Sequence, residues 1–347
     1  LQNGFEWDDN SFSANNFRHP YQGAQYFGVA RGNGYDFYES AMWAFLGSTL
    51  FEYMGEAHHP SYNDLINTAV GGIGLGEPLF HLQNMVLDNT ATGSGRVWRE
   101  IGGLLVLPLR GFNRLVTGEA FEVHQNPVNR LPEHVQSEMT IGTRTIGNER
   151  LWEADTTKVY ISFDVTVGDP FSSVDKPYDW FSFGAQLTFN NKPHGVARLQ
   201  SRGVLGAVDV HKTDEAHHVL SAVQMFDYID NEAYTFGGQS VAALFSSKFW
   251  KGERFHATTG LGLIGIILGA TQSDYFNISG REYDYGPGVG YTFNAAFGWK
   301  GHNIVRLAHT GFLVHSMNGN NADHYNNLSR LRVCLLYTSP SPRDFKY

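Results

Sequence analysis

The chain has 347 residues, only 17% of them charged, and a formal net charge of -9, which excludes a general nucleic-acid binder because that role needs a basic stripe. Its 39 Gly, 7 Trp, 17 Tyr and 25 Phe favour β architecture with tight turns over a helical bundle. Mean hydropathy is -0.29 and no run approaches the roughly 20 apolar residues of a spanning helix, so a helical membrane protein is excluded, whereas a barrel whose every second residue faces a wet lumen is not.

From the N-terminus, a polar lead-in precedes Glu39 to Met54, where apolar residues follow helical spacing. Pro60-Ser61-Tyr-Asn63-Asp64 reads as a helix start, with Ser61 as N-cap and Asp64 in the place of the capping-box Glu. That helix is expected to run through Leu65, Ile66, Ala69 and Val70 into Gly71-Gly72-Ile-Gly74-Leu-Gly76. Each such glycine costs a helix roughly 1 kcal/mol, which makes sense where another backbone packs tightly. A third helical stretch, Val97 to about Leu115, is interrupted by Pro108. The helical, Gly-rich region is assigned to 1–121.

Residues 122–333 are assigned to antiparallel strands. Val159, Ile161, Phe163, Val165 and Val167 alternate with Tyr160, Ser162, Asp164 and Thr166, and Phe181 to Phe189 repeats the pattern. Period-two alternation gives each strand one apolar and one polar face. Strands are expected at Lys158–Gly168, Tyr178–Asn190, Val196–Val210, His217–Ile229, Gln239–Trp250, Arg254–Leu268, Gly288–Trp299 and Asn303–His315, with another near His324. Turns fall at Gly168-Asp-Pro170, Asn190 to Pro193, Lys251-Gly252, Gly286-Pro-Gly288 and Lys300-Gly301. Strands of about ten residues, with Trp180, Tyr228, Trp250, Tyr275, Tyr283, Tyr285, Tyr291 and Trp299 near their ends, point to a transmembrane β-barrel with aromatic girdles. Soluble sandwich strands run about half as long. The fold class is therefore mainly β: a transmembrane antiparallel barrel preceded by a helical region. Residues 334–347, which hold the single cysteine Cys334, resemble a translated sequencing-adapter tail. Without them there is no disulfide framework, and the native chain is expected to continue beyond Val333. No signal peptide is visible, and the chain starts at Leu1 without Met.

The most specific text is His19-Pro-Tyr-Gln-Gly23, Ala30-Arg31-Gly-Asn33-Gly34, Glu52-Tyr-Met-Gly-Glu56, Pro60-Ser61-Tyr-Asn63-Asp64, Gly71-Gly72-Ile-Gly74-Leu-Gly76-Glu77 and Pro108-Leu-Arg110-Gly-Phe-Asn113-Arg114. With Phe226-Asp227-Tyr228 and Ser273-Asp274-Tyr275 it resembles the bacterial outer-membrane family known as domain of unknown function 3943, roughly from Trp7 to His315. The resemblance implies an outer-membrane barrel of a Gram-negative bacterium and brings no activity with it.

Glu52 and Glu56 share a helix face at i,i+4 and could bind a metal or divide acid and base roles. The structural alternative ranks higher: an ionic network of Arg31, Asn33, Asn63, Arg110, Asn113 and Arg114 that holds helices together. Glu77 and His81, also at i,i+4, offer two ligands for a metal but no visible third. A Ser–His–Asp set drawn from Ser48 or Ser61, His19 and Asp64 lacks the strained nucleophile turn. Asp64 reads better as a capping residue. If the protein is an enzyme, its catalytic residues are expected among His19, Glu52, Glu56, Asp64 and Glu77.

Two functions follow. The first is a non-enzymatic envelope component: a plugged pore, a ligand-binding barrel or a structural barrel. The second is a lipid- or glycan-modifying outer-membrane enzyme. The helices, too polar for lipid, are expected either to plug the lumen or to cap the periplasmic mouth; the plug is favoured, with Arg31, Glu52, Glu56, Asp64, Glu77, Arg110 and Arg114 knitting plug to wall. Outer-membrane lipid is the expected partner, with a small-molecule or lipid ligand; no cofactor and no nucleic acid are expected.

Overall fold

The computed structural model describes residues 5–55, 59–127, 130–132, 134–146, 156–189, 195–231, 234–251, 255–272, 282–299, 302–318 and 323–333. Ten strands form one sheet in sequence order: β1 Val135–Ile146, β2 Thr156–Val167, β3 Phe181–Phe189, β4 Val196–Lys212, β5 Ala216–Asn231, β6 Tyr234–Lys251, β7 Phe255–Gln272, β8 Tyr283–Trp299, β9 His302–His315 and β10 Asp323–Val333. Every neighbour is antiparallel, and the meander curls into a half-barrel. Lengths run from 9 residues in β3 to 18 in β6 and β7, well past the five or six typical of globular proteins. The turns expected at 190–193 and 300–301 and the second residue of that at 251–252 lie outside the described residues, as do Tyr275 and 334–347.

The two faces differ as the alternation requires. One face carries Glu138, Asp164, Arg198, Arg202, Arg306, Arg330 and Arg332, and residues of β2 to β4 line a single cavity with residues of β9 and β10. Strands so far apart in the sheet can meet only across its concave side. Arg332 Nη1 donates to Glu138 Oε1 at 2.8 Å, so β10 reaches back to β1. Deeper on the same side, Val223, Met225, Phe236, Ala242, Ile264, Ile266, Phe312 and Val314 form an apolar layer. Phe236 of β6 stacks on Phe312 of β9 at 4.4 Å. The interior at that level is filled with side chains, as expected of a narrow barrel.

The convex face is apolar and exposed over much of its area, at Met139, Ile141, Phe163, Leu187, Leu261, Leu263, Phe297 and Leu331. The rest of this face is covered by the helical unit. The unit comprises α1 His19–Gly32, α2 Phe37–Leu50, α3 Tyr62–Ile66, α4 Gly72–Val86, α5 Gly93–Val106 and α6 Pro108–Thr117, with π-helical turns at Ala14–Arg18, Phe51–Gly55 and Asn67–Gly71. Ser201 Oγ donates to the Gly74 carbonyl at 2.5 Å and Gln224 Nε2 to that of Val70 at 3.1 Å. Phe181, Phe183, Leu199 and Phe226 pack on Ala24, Phe27, Ile73 and Leu75. These sheet residues alternate with Arg202 and Asp227, which point the other way. The lumen plug is thus corrected: the helices sit against the outside of the sheet, because its apolar side is the side they can bury surface on. Nor do the helix charges knit the unit to a wall. Among the described residues, Arg31 pairs with Glu77, and Arg114 with Glu100 and with Glu119 just past α6, all inside the N-terminal unit.

The glycines behave as their spacing suggests. A Cβ on Gly23 would lie 1.7 Å from the Thr68 carbonyl oxygen, and one on Gly72 would lie 2.5 Å from the Gly23 carbonyl carbon. Backbones of α1 and α4 therefore touch, which only glycine permits. Other readings change. The polar lead-in forms a π-turn and all of α1. The real capping box is Asp36 with Glu39. Gly286 to Gly288 is no turn but part of β8, where the ladder to β7 shifts between Ile266 and Gly269 and Pro287 escapes pairing. β1 is a strand that the alternation did not announce.

Candidate functional site

The three π-turns converge on one buried polar cluster. A π-turn inserts one extra residue into a helix and re-aims the side chains around it; such turns are frequent at functional sites. Glu52 lies in the second turn, Asn67 and Thr68 in the third, and His19 directly after the first. Asp64, fully buried, belongs to short α3. The loop before α3 is clamped from outside: Glu6 forms a bridge with Ser61, and the Asp8 N–H donates to Asn63 Oδ1 at 2.9 Å.

Within the cluster, the Ser61 backbone N–H donates to Glu52 Oε2 at 2.9 Å. Ser61 Oγ donates to Asp64 Oδ2 at 2.5 Å, and Asn63 Nδ2 to Asp64 Oδ1 at 2.9 Å. His19 Nε2 stands 3.6 Å from Asp64 Oδ1, and its Nδ1 lies 3.2 Å from Thr68 Oγ1. Burial pushes the His19 pKa below its ordinary value, with Asp8 opposing, so the ring is neutral at pH 7 and keeps a lone pair. Three donors thus converge on the two carboxylates. Asp64 is therefore not a cap. Ser61 offers no side-chain cap either; its hydroxyl is spent on Asp64.

One imidazole nitrogen and one oxygen from each of Glu52 and Asp64 all lie within 4.8 Å of one another, the one such group among the described residues. That donor set suits a first-row divalent metal such as zinc, manganese or iron. It also suits acid and base roles for two carboxylates beside a neutral histidine. It does not suit a serine nucleophile: Ser61 faces an aspartate, and Ser48 Oγ donates to the Leu65 carbonyl. The sheet supplies the floor. Asn15 Nδ2 donates to Tyr283 Oη at 3.0 Å, and Asn67 Nδ2 to the Asn15 carbonyl at 2.9 Å. Trp7 stacks on Tyr285 at 5.6 Å. Tyr283 and Tyr285 are buried under these residues, as Tyr228 is under Phe12 and Phe17, so the three are not girdle residues.

The other expected residues lie elsewhere. Glu56 falls outside the described residues. Glu77 is gripped by Arg31, which donates Nε to Oε2 at 2.8 Å and Nη2 to Oε1 at 2.9 Å, with His81 Nε2 3.2 Å from Oε1. Burial raises the Glu77 pKa, but the bonds from His81 and Arg31 outweigh it and hold the carboxyl below its usual range. A guanidinium already fills the place a cation would take, so the Glu77–His81 metal pair is corrected to an Arg31–Glu77 ion pair with the His81 ring hydrogen-bonded to the same carboxylate. Arg110 Nη1 donates to Gln83 Oε1 at 2.7 Å, and the guanidinium lies over Phe80. Burial first, then neighbouring Arg114, lowers its pKa to about 10. Arg114 takes Glu100 with two bonds, of 3.1 and 2.8 Å, and Asn89 at 2.9 Å. Asn113 reaches Asn33 at the exposed rim at 3.4 Å. Sequence reasoning missed Asn15, Asn67, Tyr283 and Tyr285 in the site; Asn15-Asn16 is a polar pair with no spacing signal of its own.

No curated protein matches the chain. Residues 4–109, which carry every helical element of this cluster, match the family model described as Domain of unknown function (DUF3943).

Proposed function

We propose that the protein is an integral outer-membrane barrel of a Gram-negative bacterium and a non-enzymatic envelope component, ligand-holding or structural, with lipid as its partner. One observation carries this reading: the convex face of the sheet presents exposed Met139, Ile141, Leu261, Leu263, Phe297 and Leu331, while the concave face holds charge. A water-soluble β-protein would reverse that polarity, since exposed apolar patches beyond a few hundred Å² mark interaction or membrane surfaces.

Two further features support it. The links after β4, β6 and β8 are short, at 213–215, 252–254 and 300–301, whereas those after β1, β3, β7 and β9 cover 147–155, 190–195, 273–282 and 316–322. Outer-membrane barrels pair short periplasmic turns with longer outer loops; residues 168–180 after β2 and 232–233 after β5 depart from the rule. The helical unit also shows apolar side chains outward, including Met42, Trp43, Leu46, Trp98, Leu105 and Phe112. It seats on the same face as the exposed belt, so acyl chains cover both. An open pore fits less well, because the apolar layer around Phe236 and Phe312 fills the interior. Carbonate washing of membranes from expressing cells tests the reading: the protein stays in the pellet and shows heat-modifiable mobility in gels. Release into the supernatant would end it.

The convergence of three π-turns on His19, Glu52 and Asp64 favours a second reading, an enzyme acting on envelope lipid or glycan through that cluster. Under it, Asp64→Asn keeps the heat-modifiable fold but changes envelope lipid composition. Under the first reading, the composition stays as it was.

A further inference from the structure

The concave face carries an excess of positive charge that the helical site does not use. Arg198 and Arg202 from β4, Arg306 from β9, and Arg330 and Arg332 from β10 line one cavity of about 290 Å³. Arg198, Arg330 and Arg332 also line the adjoining hollow of about 770 Å³. Among the described residues, three carboxylates answer these five guanidiniums. Asp164 accepts from Arg198 at 2.8 Å, Asp227 accepts from Arg202 at 2.6 Å, and Glu138 accepts from Arg332 at 2.8 Å with Arg306 3.7 Å away. Arg330 makes no hydrogen bond and no ion pair among the described residues, and its side chain opens to the cavity.

The register makes the excess deliberate in a physical sense. Glu138 stands directly opposite Asp164 across β1 and β2, and Arg332 opposite Arg306 across β9 and β10. Like charges in such pairs repel. The carboxylate pair is relieved by arginines from other strands, and with them consumed two positive charges remain. Guanidinium is the side chain best matched to planar, bidentate capture of a phosphoryl group and never gives up its proton at physiological pH. Beyond the cavity the interior closes on the Phe236–Phe312 layer, so an anion that enters has a floor to rest above.

We infer that the concave face is a phosphoryl-binding site, built by Arg330 as the free cation with Arg198, Arg202, Arg306 and Arg332 around it. The inference does not rest on the membrane reading, because the cavity exists whatever covers the convex face. The phosphoryl group belongs either to a soluble anion or to a lipid headgroup.

The test uses the full chain refolded in neutral detergent, with inorganic pyrophosphate as the probe in calorimetric titration. Wild type binds saturably, and the affinity falls as salt rises. Arg330→Gln weakens binding at least tenfold, without touching an existing ion pair. Ala308→Glu provides a second route: residue 308 is the register partner of Arg330, so the new carboxylate neutralises the free cation and weakens binding as much while adding a favourable cross-strand pair. Far-ultraviolet circular dichroism and a thermal transition matching wild type establish that both variants fold. Phosphatidic acid added to the micelles, against phosphatidylcholine as control, separates the sources: competition with pyrophosphate assigns the site to a lipid headgroup, and lack of competition assigns it to a soluble anion. Absence of saturable binding, or equal affinity in wild type and both folded variants, overturns the proposal.

Discussion

Removing the Glu77 charge separates a structural from a chemical role for a buried ion pair of the helical unit. The Glu77 side chain is 2% exposed and that of Arg31 18%, and the pair is bidentate at 2.8 and 2.9 Å. Breaking a buried pair from one side costs about 3–5 kcal/mol, because the partner keeps its charge and loses its counter-ion. Arg31 retains some water and a second acceptor, the Tyr35 carbonyl at 2.8 Å, so Glu77→Gln is expected at the lower end, about 3 kcal/mol. Replacing both partners, as Arg31→Met with Glu77→Met, leaves no orphan charge and is expected to recover most of that loss. Tryptophan fluorescence during urea unfolding in micelles reads the helical unit, because Trp43 and Trp98 lie on α2 and α5. The pH dependence has a definite sign. The native carboxyl pKa is depressed, so its stabilisation is complete above the unfolded value, about 4.3, and is lost as pH falls through the lower native value. The double variant loses that acid sensitivity. A cost below about 1 kcal/mol for Glu77→Gln, or a double variant no better than the singles, would refute the argument.

Brominated acyl chains are expected to quench Trp43 and Trp98, which face outward from the helices; emission unchanged by bromination would place those faces in water. Gly23→Ala must part α1 from the third π-turn, since its Cβ would meet the Thr68 carbonyl at 1.7 Å. A cost at or above the usual 1–3 kcal/mol of overpacking is expected, with faster proteolysis between residues 19 and 86. Manganese or zinc is expected to protect the helical unit from unfolding in wild type but not in Asp64→Asn or His19→Asn; equal protection in all three would mean that the metal binds elsewhere. Planar bilayers with wild type are expected to be silent, whereas Phe236→Ala with Phe312→Ala removes the stacked pair and raises conductance.

The strands were legible because their period survives any packing. Val159 to Val167 alternate cleanly, and the structure puts β2 over them. β1 was hidden because Ser137, Thr143 and Thr145 occupy positions where apolar residues would have completed the pattern. Alternation also shows that a sheet has two faces without showing which one a second unit covers, so the helices were assigned to the wrong side. Gly286-Pro-Gly288 misled for a related reason: a bulge in a long strand uses the same residues as a turn. In the site, His19, Glu52 and Asp64 stood out as motif residues, but their meeting depends on π-turns, which leave no periodic trace in so short a stretch. The arginines of the concave face come from strands far apart in sequence, so only the curl of the sheet assembles them.

The widened turns at 14–18, 51–55 and 67–71 set the angular phase of everything that follows them on the same axis. An ordinary helix advances about 100° per residue. Deleting a single residue from one of these turns would restore the common geometry and, in doing so, swing the downstream side chains by that angle. The segment is therefore unforgiving of insertions and deletions. Its length is as strictly constrained as its chemistry.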